Sequence, residues 1–92
     1  MKEIYFAKRV EKFLEKLYKS DKNLAGQIAD GLKLLRDDPL CSSVKKLAGA
    51  KDFYRLRIGK YRIIYRFDER SVYIILIAKR EEVYEKLRNL AN

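Results

Sequence analysis

A chain of 92 residues of which 48% are apolar is long enough for one folded core and too apolar for a disordered polymer. Lys and Arg outnumber Asp and Glu by 22 to 13, so the formal charge is +9 and a polyanionic partner is indicated, nucleic acid first. The single cysteine, Cys41, excludes an internal disulfide, and with no histidine in the chain it has no partner for nucleophilic chemistry or a zinc site.

Any acid–base chemistry must therefore come from tyrosine, carboxylates, lysine or arginine. The longest apolar run, Val72 to Ala78, is too short to span a bilayer, and no charged-then-apolar leader opens the chain. A cytoplasmic protein is expected.

Lys2 to Phe6 reads as a short opening strand. Ala7 to Lys19 then places Val10, Phe13, Leu14 and Leu17 at i, i+3, i+4 and i+7, the pattern of an amphipathic helix. Ser20 and Asp21 supply cap chemistry for a second helix, whose apolar positions are Leu24, Ile28, Leu32 and Leu35. Ala25, Ala29 and Gly31 leave room for a close approach. Asp37-Asp38-Pro39 ends this helix, because the residue before proline is pushed out of the helical region. So short a link predicts an antiparallel helical hairpin. Pro39 to Asp52 is expected to be a connecting loop.

Phe53 to Arg66 predicts two strands joined by a tight turn at Gly59-Lys60. Asp68 to Ser71 is a polar turn, and Val72 to Ala78 is a strand apolar on both faces, hence central. The opening strand is the neighbour left for it. The expected order is 1-4-3-2, with Phe53–Ile58 at an edge. Lys79 to Leu90 closes the chain as a helix with Val83, Leu87 and Leu90 inward. Arg80 and Tyr84, four residues apart, would share another face of it. The fold class is α+β, in one domain covering residues 1–92.

Alternation along the hairpin carries the functional signal. A two-residue turn sets Ile58 opposite Tyr61, Arg57 opposite Arg62 and Arg55 opposite Ile64. Tyr54, Leu56, Ile58, Tyr61, Ile63 and Tyr65 then face a core, while Arg55, Arg57, Arg62 and Arg66 share the other side with Phe53. Like charges facing each other across a ladder cost something like 0.2–1 kcal/mol. Two readings stand side by side: charged protection of a sheet edge, or a surface on which phosphate sits, held by planar, permanently charged guanidiniums.

Four segments, in order and at this spacing, resemble the RelE/ParE toxin superfamily of prokaryotic toxin–antitoxin modules over nearly the whole chain. They are Lys46-Leu47-Ala48-Gly49, Asp52-Phe53-Tyr54-Arg55-Leu56-Arg57, Tyr61-Arg62-Ile63-Ile64-Tyr65 and Lys79-Arg80-Glu81-Glu82-Val83-Tyr84. The resemblance implies a RelE-like fold: strand, helical hairpin, three-stranded antiparallel meander and C-terminal helix. Two activities occur in the superfamily. RelE-like members cut mRNA in the ribosomal A site, whereas ParE-like members inhibit DNA gyrase by binding.

The RelE branch has basic residues at positions matching Arg55, Arg57, Arg62 and Arg80 and a tyrosine at that of Tyr84, which favours the nuclease. Its usual lysines are arginines here at 55 and 57, and arginine is a poor proton donor or acceptor. Toxins that use histidine and glutamate as acid and base are not matched.

On this resemblance the 2′-hydroxyl of RNA would attack the adjacent phosphate without a metal or cofactor, leaving a 2′,3′-cyclic phosphate and a 5′-hydroxyl. Tyr84 would be the general base, with Arg57, Arg62 and Arg80 stabilising charge on the phosphate. Arg55, Lys46, Lys60 and Arg66 would hold the RNA backbone, and Phe53 would stack on a base. The identity of the acid for the leaving oxygen stays open between Arg80, a water and a ribosomal RNA group. Expected partners are the ribosome with its mRNA and an acidic, RelB-like antitoxin; no membrane and no small-molecule cofactor are expected. The alternatives are a ParE-like gyrase inhibitor, or a family member that binds RNA or antitoxin and cleaves weakly.

Overall fold

The computed structural model describes residues 2–42, 44–47 and 52–91. Its elements run β1 (Glu3–Phe6), α1 (Lys8–Ser20), α2 (Lys22–Asp37), β2 (Val44–Lys46), β3 (Tyr54–Ile58), β4 (Tyr61–Phe67), β5 (Ser71–Lys79) and α3 (Val83–Ala91). The architecture is α+β, as the sequence predicts. A single residue, Asp21, separates the two helices of the hairpin. It ends α1 and caps α2, its carboxylate accepting the Leu24 N–H at 3.0 Å.

The five strands form one sheet in the order β1-β5-β4-β3-β2. β5 is an interior strand, apolar on both faces, and it pairs with β1 in parallel and with β4 antiparallel, which leaves β4 at the centre. Two expectations need correcting. Phe53–Ile58 is not an edge, because Val44–Lys46 forms a further antiparallel strand outside β3. The segment from Pro39 to Asp52 is therefore not all loop. Three residues bounded by turn-forming sequence are too few to show a period, so alternation could not reveal β2. The last helix also starts later than Lys79: β5 runs through that residue, which pairs with Tyr61, and residues 80–82 form a turn.

The hairpin has the predicted register, with Ile58 opposite Tyr61, Arg57 opposite Arg62 and Arg55 opposite Ile64. Gly59 takes a φ of +56° in the two-residue turn, a conformation that glycine adopts without a Cβ penalty. On β5 the register jumps from Leu76, opposite Ile64, to Ile74, opposite Tyr65, so Ile75 is an extra residue. This bulge keeps Val72 and Ile74 on the same side as Ile77 despite their odd spacing.

Two clusters result. The larger lies between the sheet and the α1–α2 hairpin and contains Val10, Leu17, Ile28, Leu35, Leu56, Ile63, Tyr65 and Ile74. Tyr54 and Tyr61 pack against it, half-buried, as expected of core tyrosines. Gly31 allows the approach of α2 to β3: a Cβ there would lie 2.9 Å from Ile58 Cδ1. Tyr65 is fully buried, and its hydroxyl donates to the Pro39 carbonyl, fastening the chain where it leaves α2. Burial raises the pKa of that phenol. The smaller cluster is on the opposite face, where Val83 and Leu87 of α3 cover Ile64, Leu76 and Ala78, with Leu47 and Phe53 beside them. Ala48, Gly49 and the side chain of Leu90 lie outside the described residues.

Candidate active site

The outer face of the sheet is laid out as three rows across the strands. Arg57, Arg62 and Ala78 are neighbours in the first, and Lys45, Arg55, Ile64 and Leu76 in the second. Arg66, Tyr73 and Tyr5 make the third. Because α3 covers the apolar members of the first two rows, their basic members remain open. They line a cleft of ≈180 Å³ formed by Lys45, Arg55, Arg57 and Arg62.

Arg62 is the innermost of these, only 6% exposed. Its Nη1 donates to the Tyr61 carbonyl at 3.1 Å and, more weakly, to the Gly59 carbonyl at 3.4 Å, so the hairpin's own backbone orients it. Burial, followed by the charges of Arg57, Arg80 and Arg55, lowers its pKa from the ordinary guanidinium value, while Tyr84 acts in the other direction. A guanidinium stays charged at neutral pH regardless. Among the described residues the ion pairs are Arg36–Asp37 and Lys86–Glu82, neither of which includes a cleft arginine, so no carboxylate is paired with the cluster. A desolvated cation among like charges is costly to keep. A bound oxyanion relieves that cost, with up to two hydrogen bonds from each guanidinium.

Two residues reach this cluster from the C-terminal segment. Tyr84, in the first turn of α3, is 49% exposed, and its hydroxyl accepts a hydrogen bond from Arg55 Nη1 at 2.8 Å. That bond joins α3 to β3 beside the cleft. Arg80 sits in the turn between β5 and α3, and its backbone N–H donates to the Lys60 carbonyl at 2.9 Å. Arg80 and Tyr84 thus do not share a helical face, since the helix begins at Val83. They reach the arginines from a turn and a helix respectively.

The remaining predicted residues are dispersed. Lys46 is opposite Tyr54, on the side of the sheet away from the arginines. Lys60 lines a separate hollow with Asp21, Asn23, Gln27 and Tyr61 at the start of α2. Phe53 is half-buried against the smaller cluster. Arg66 is at the far end of the outer face, its guanidinium 4.3 Å from the centre of the Tyr73 ring, which in turn stacks on Tyr5. Sequence reasoning missed Lys45. Once β2 is known, alternation against Arg55 places Lys45 in the cleft and Lys46 outside it. Among the described residues no group of three or more Asp, Glu, Cys or His side chains converges as a metal-ligand set would.

The fold is that of a known class of small toxins. The family described as the ParE toxin of the type II toxin–antitoxin system, parDE, matches residues 4–84. A protein of Methanocaldococcus jannaschii that carries the name toxin RelE1 is 34% identical over 80 residues, covering 85% of this chain and 89% of that protein. Among solved structures, a mutant E. coli toxin RelE in the free state superposes with a TM-score of 0.72 at 28% identity, over 91% of this chain and 90% of that one. RelE in the archaeal RelE–RelB complex from Pyrococcus horikoshii gives 0.69 at 27% identity, over 86% and 94%. The chain belongs to the RelE/ParE superfamily of toxins of type II toxin–antitoxin systems. No helix among its described residues is long and apolar enough to cross a membrane.

Proposed function

We propose that this toxin is a ribosome-dependent endoribonuclease that cuts mRNA in the A site. The observation that carries the reading is the Tyr84 hydroxyl, held 2.8 Å from Arg55 at an arginine cleft that lacks a carboxylate among the described residues. A proton acceptor beside a phosphate cradle is what cleavage through the 2′-hydroxyl requires. The phosphate sits among Arg55, Arg57 and Arg62, with Arg80 adding charge from the turn. In the reacting form Tyr84 is the phenolate: the 2′-oxygen gives its proton to that oxygen and bonds to phosphorus, and the phosphorus–5′-oxygen bond breaks with its electron pair passing to the 5′-oxygen. Arg62 contributes most to stabilising the crowded phosphate, because a buried donor is fixed before the reaction and less screened by water.

An acidic antitoxin is the proposed partner; the solved relatives include a RelE–RelB complex of P. horikoshii and a YoeB–YefM complex of Staphylococcus aureus. The net charge of +9 supports an acidic partner, and the α1 surface offers an apolar contact for one, an open groove lined by Phe6, Leu14 and Tyr18 beside Glu11, Glu15 and Lys19. Such a surface suits a segment that folds as it binds.

Primer extension on programmed ribosomes tests the nuclease. Cleavage at the A-site codon by the parent should fall about a hundredfold or more in Tyr84→Phe and Arg80→Ala. A folded parent that leaves the message intact would reject the reading. The ParE family match favours the second reading, a gyrase inhibitor acting by binding, and a supercoiling assay would then decide it.

A further inference from the structure

Cleavage needs a second proton transfer, to the departing 5′-oxygen, and the cleft restricts what can supply it. Arg55, Arg57, Arg62 and Arg80 all carry guanidiniums, a group that is a poor proton donor near neutral pH. Tyr84 is committed to the 2′-oxygen. Among the described residues Lys45 is the one remaining side chain lining the cleft, and the only ammonium there.

Its placement also suits the geometry of the reaction. Lys45 and Arg55 are register partners on β2 and β3, so their side chains leave the sheet on one face about 5 Å apart at Cβ. Tyr84 approaches Arg55 from α3, which rests over β4 and β5. In sheet order Lys45 therefore flanks Arg55 from the far side. Attacking and leaving oxygens lie roughly in line across phosphorus, so base and acid must come from opposite sides of the phosphate.

We propose that Lys45 is the general acid, a role that rests on the nuclease reading above. As the 2′-oxygen–phosphorus bond forms, the electron pair of the breaking bond goes to the 5′-oxygen, which takes a proton from the Lys45 ammonium. The products are the cyclic phosphate, a 5′-hydroxyl, a neutral Lys45 amine and protonated Tyr84. Exchange with water restores both groups, with no net proton released.

The test uses the full chain on programmed ribosomes with two messages: an ordinary one, and one carrying sulfur in place of the 5′-oxygen at the scissile phosphate. A thiolate leaves without a proton. Lys45→Ala and Lys45→Arg should each lose about a hundredfold in kcat on the ordinary message. Both should cut the sulfur-bridged message at the parent's rate, and Lys45→Arg should keep the parent's KM. Lys45 is exposed, so both variants should retain the parent's thermal melt.

A Lys45→Arg chain that cuts the ordinary message at full rate overturns the proposal, as do equal losses on both messages, which would mark a phosphate contact. A parent inactive on both messages rejects the nuclease reading itself, and the acid with it.

Discussion

On the helix-covered face of the sheet, Leu56, Ile63, Tyr65, Ile74 and Ile77 are sealed beneath α1 and α2. On the opposite face, one position along the same strands, Arg55, Arg57 and Arg62 stand beside Ile64, Leu76 and Ala78, and a single short helix covers only the apolar half. The first face is close-packed and electrically neutral, so each side chain on it stabilises its neighbours. The second keeps a buried guanidinium among like charges, held by the Tyr61 and Gly59 carbonyls and by no carboxylate among the described ion pairs. The difference teaches that alternation alone can build a core and a charged cleft from one hairpin. The helices decide how much of each face meets water.

Neighbouring residues on β4 test the contrast most severely. Ile63→Ala removes a fully buried side chain and should cost about 2–5 kcal/mol in urea unfolding. An unchanged midpoint would mean that the helix-covered face is not the stabilising one. Arg62→Met should do the opposite. Replacing a buried, unbalanced cation by an apolar chain of similar length should leave the melting temperature unchanged or raise it. Cleavage should nevertheless fall about a hundredfold or more. A destabilised Arg62→Met chain would show that the guanidinium serves the fold rather than a ligand.

Gly31→Val probes the packed face more gently, because its Cβ would lie 2.9 Å from Ile58 Cδ1 and 3.2 Å from Leu56 Cδ2. Overpacking there should cost about 1–3 kcal/mol, read from the same unfolding curves, with RNA cleavage unaffected at a temperature where the variant is folded.

The smallest effect belongs to the β4–β5 turn, away from both faces. The Asp68 carboxylate accepts the Arg70 and Ser71 N–H groups, each at 2.9 Å, and these bonds hold its pKa below the usual carboxylate value. Its contribution to stability is complete above the unfolded-state pKa of about 3.9 and is lost as pH falls through the lower folded value. Asp68→Asn should flatten the acid limb of the stability profile slightly and leave stability near neutrality little changed. An identical acid limb in the two chains would remove the turn from the account.

Most of the fold was legible because its elements follow strong local rules. Val10, Phe13, Leu14 and Leu17 specify a helix by spacing, Asp21 stops one helix and starts the next, and Gly59 permits a two-residue turn whose register follows arithmetically. The same register puts Arg55, Arg57 and Arg62 on one face. What escaped was short or cooperative. β2 has three residues, Ile75 is a bulge visible only against its partner strand, and β5 extends through Lys79 because Tyr61 pairs with it.

The sequence by itself determined the α+β class, the helical hairpin, the meander and the side of it that carries the arginines. Periodicity and turn chemistry act between residues close in the chain. Only the tertiary structure decided that Lys45 rather than Lys46 enters the cleft, that Arg80 reaches it from a turn, and that the Tyr84 hydroxyl meets Arg55. These depend on strand pairing and helix docking between segments far apart in the chain, and no local pattern encodes which of two adjacent lysines a distant strand will turn inward.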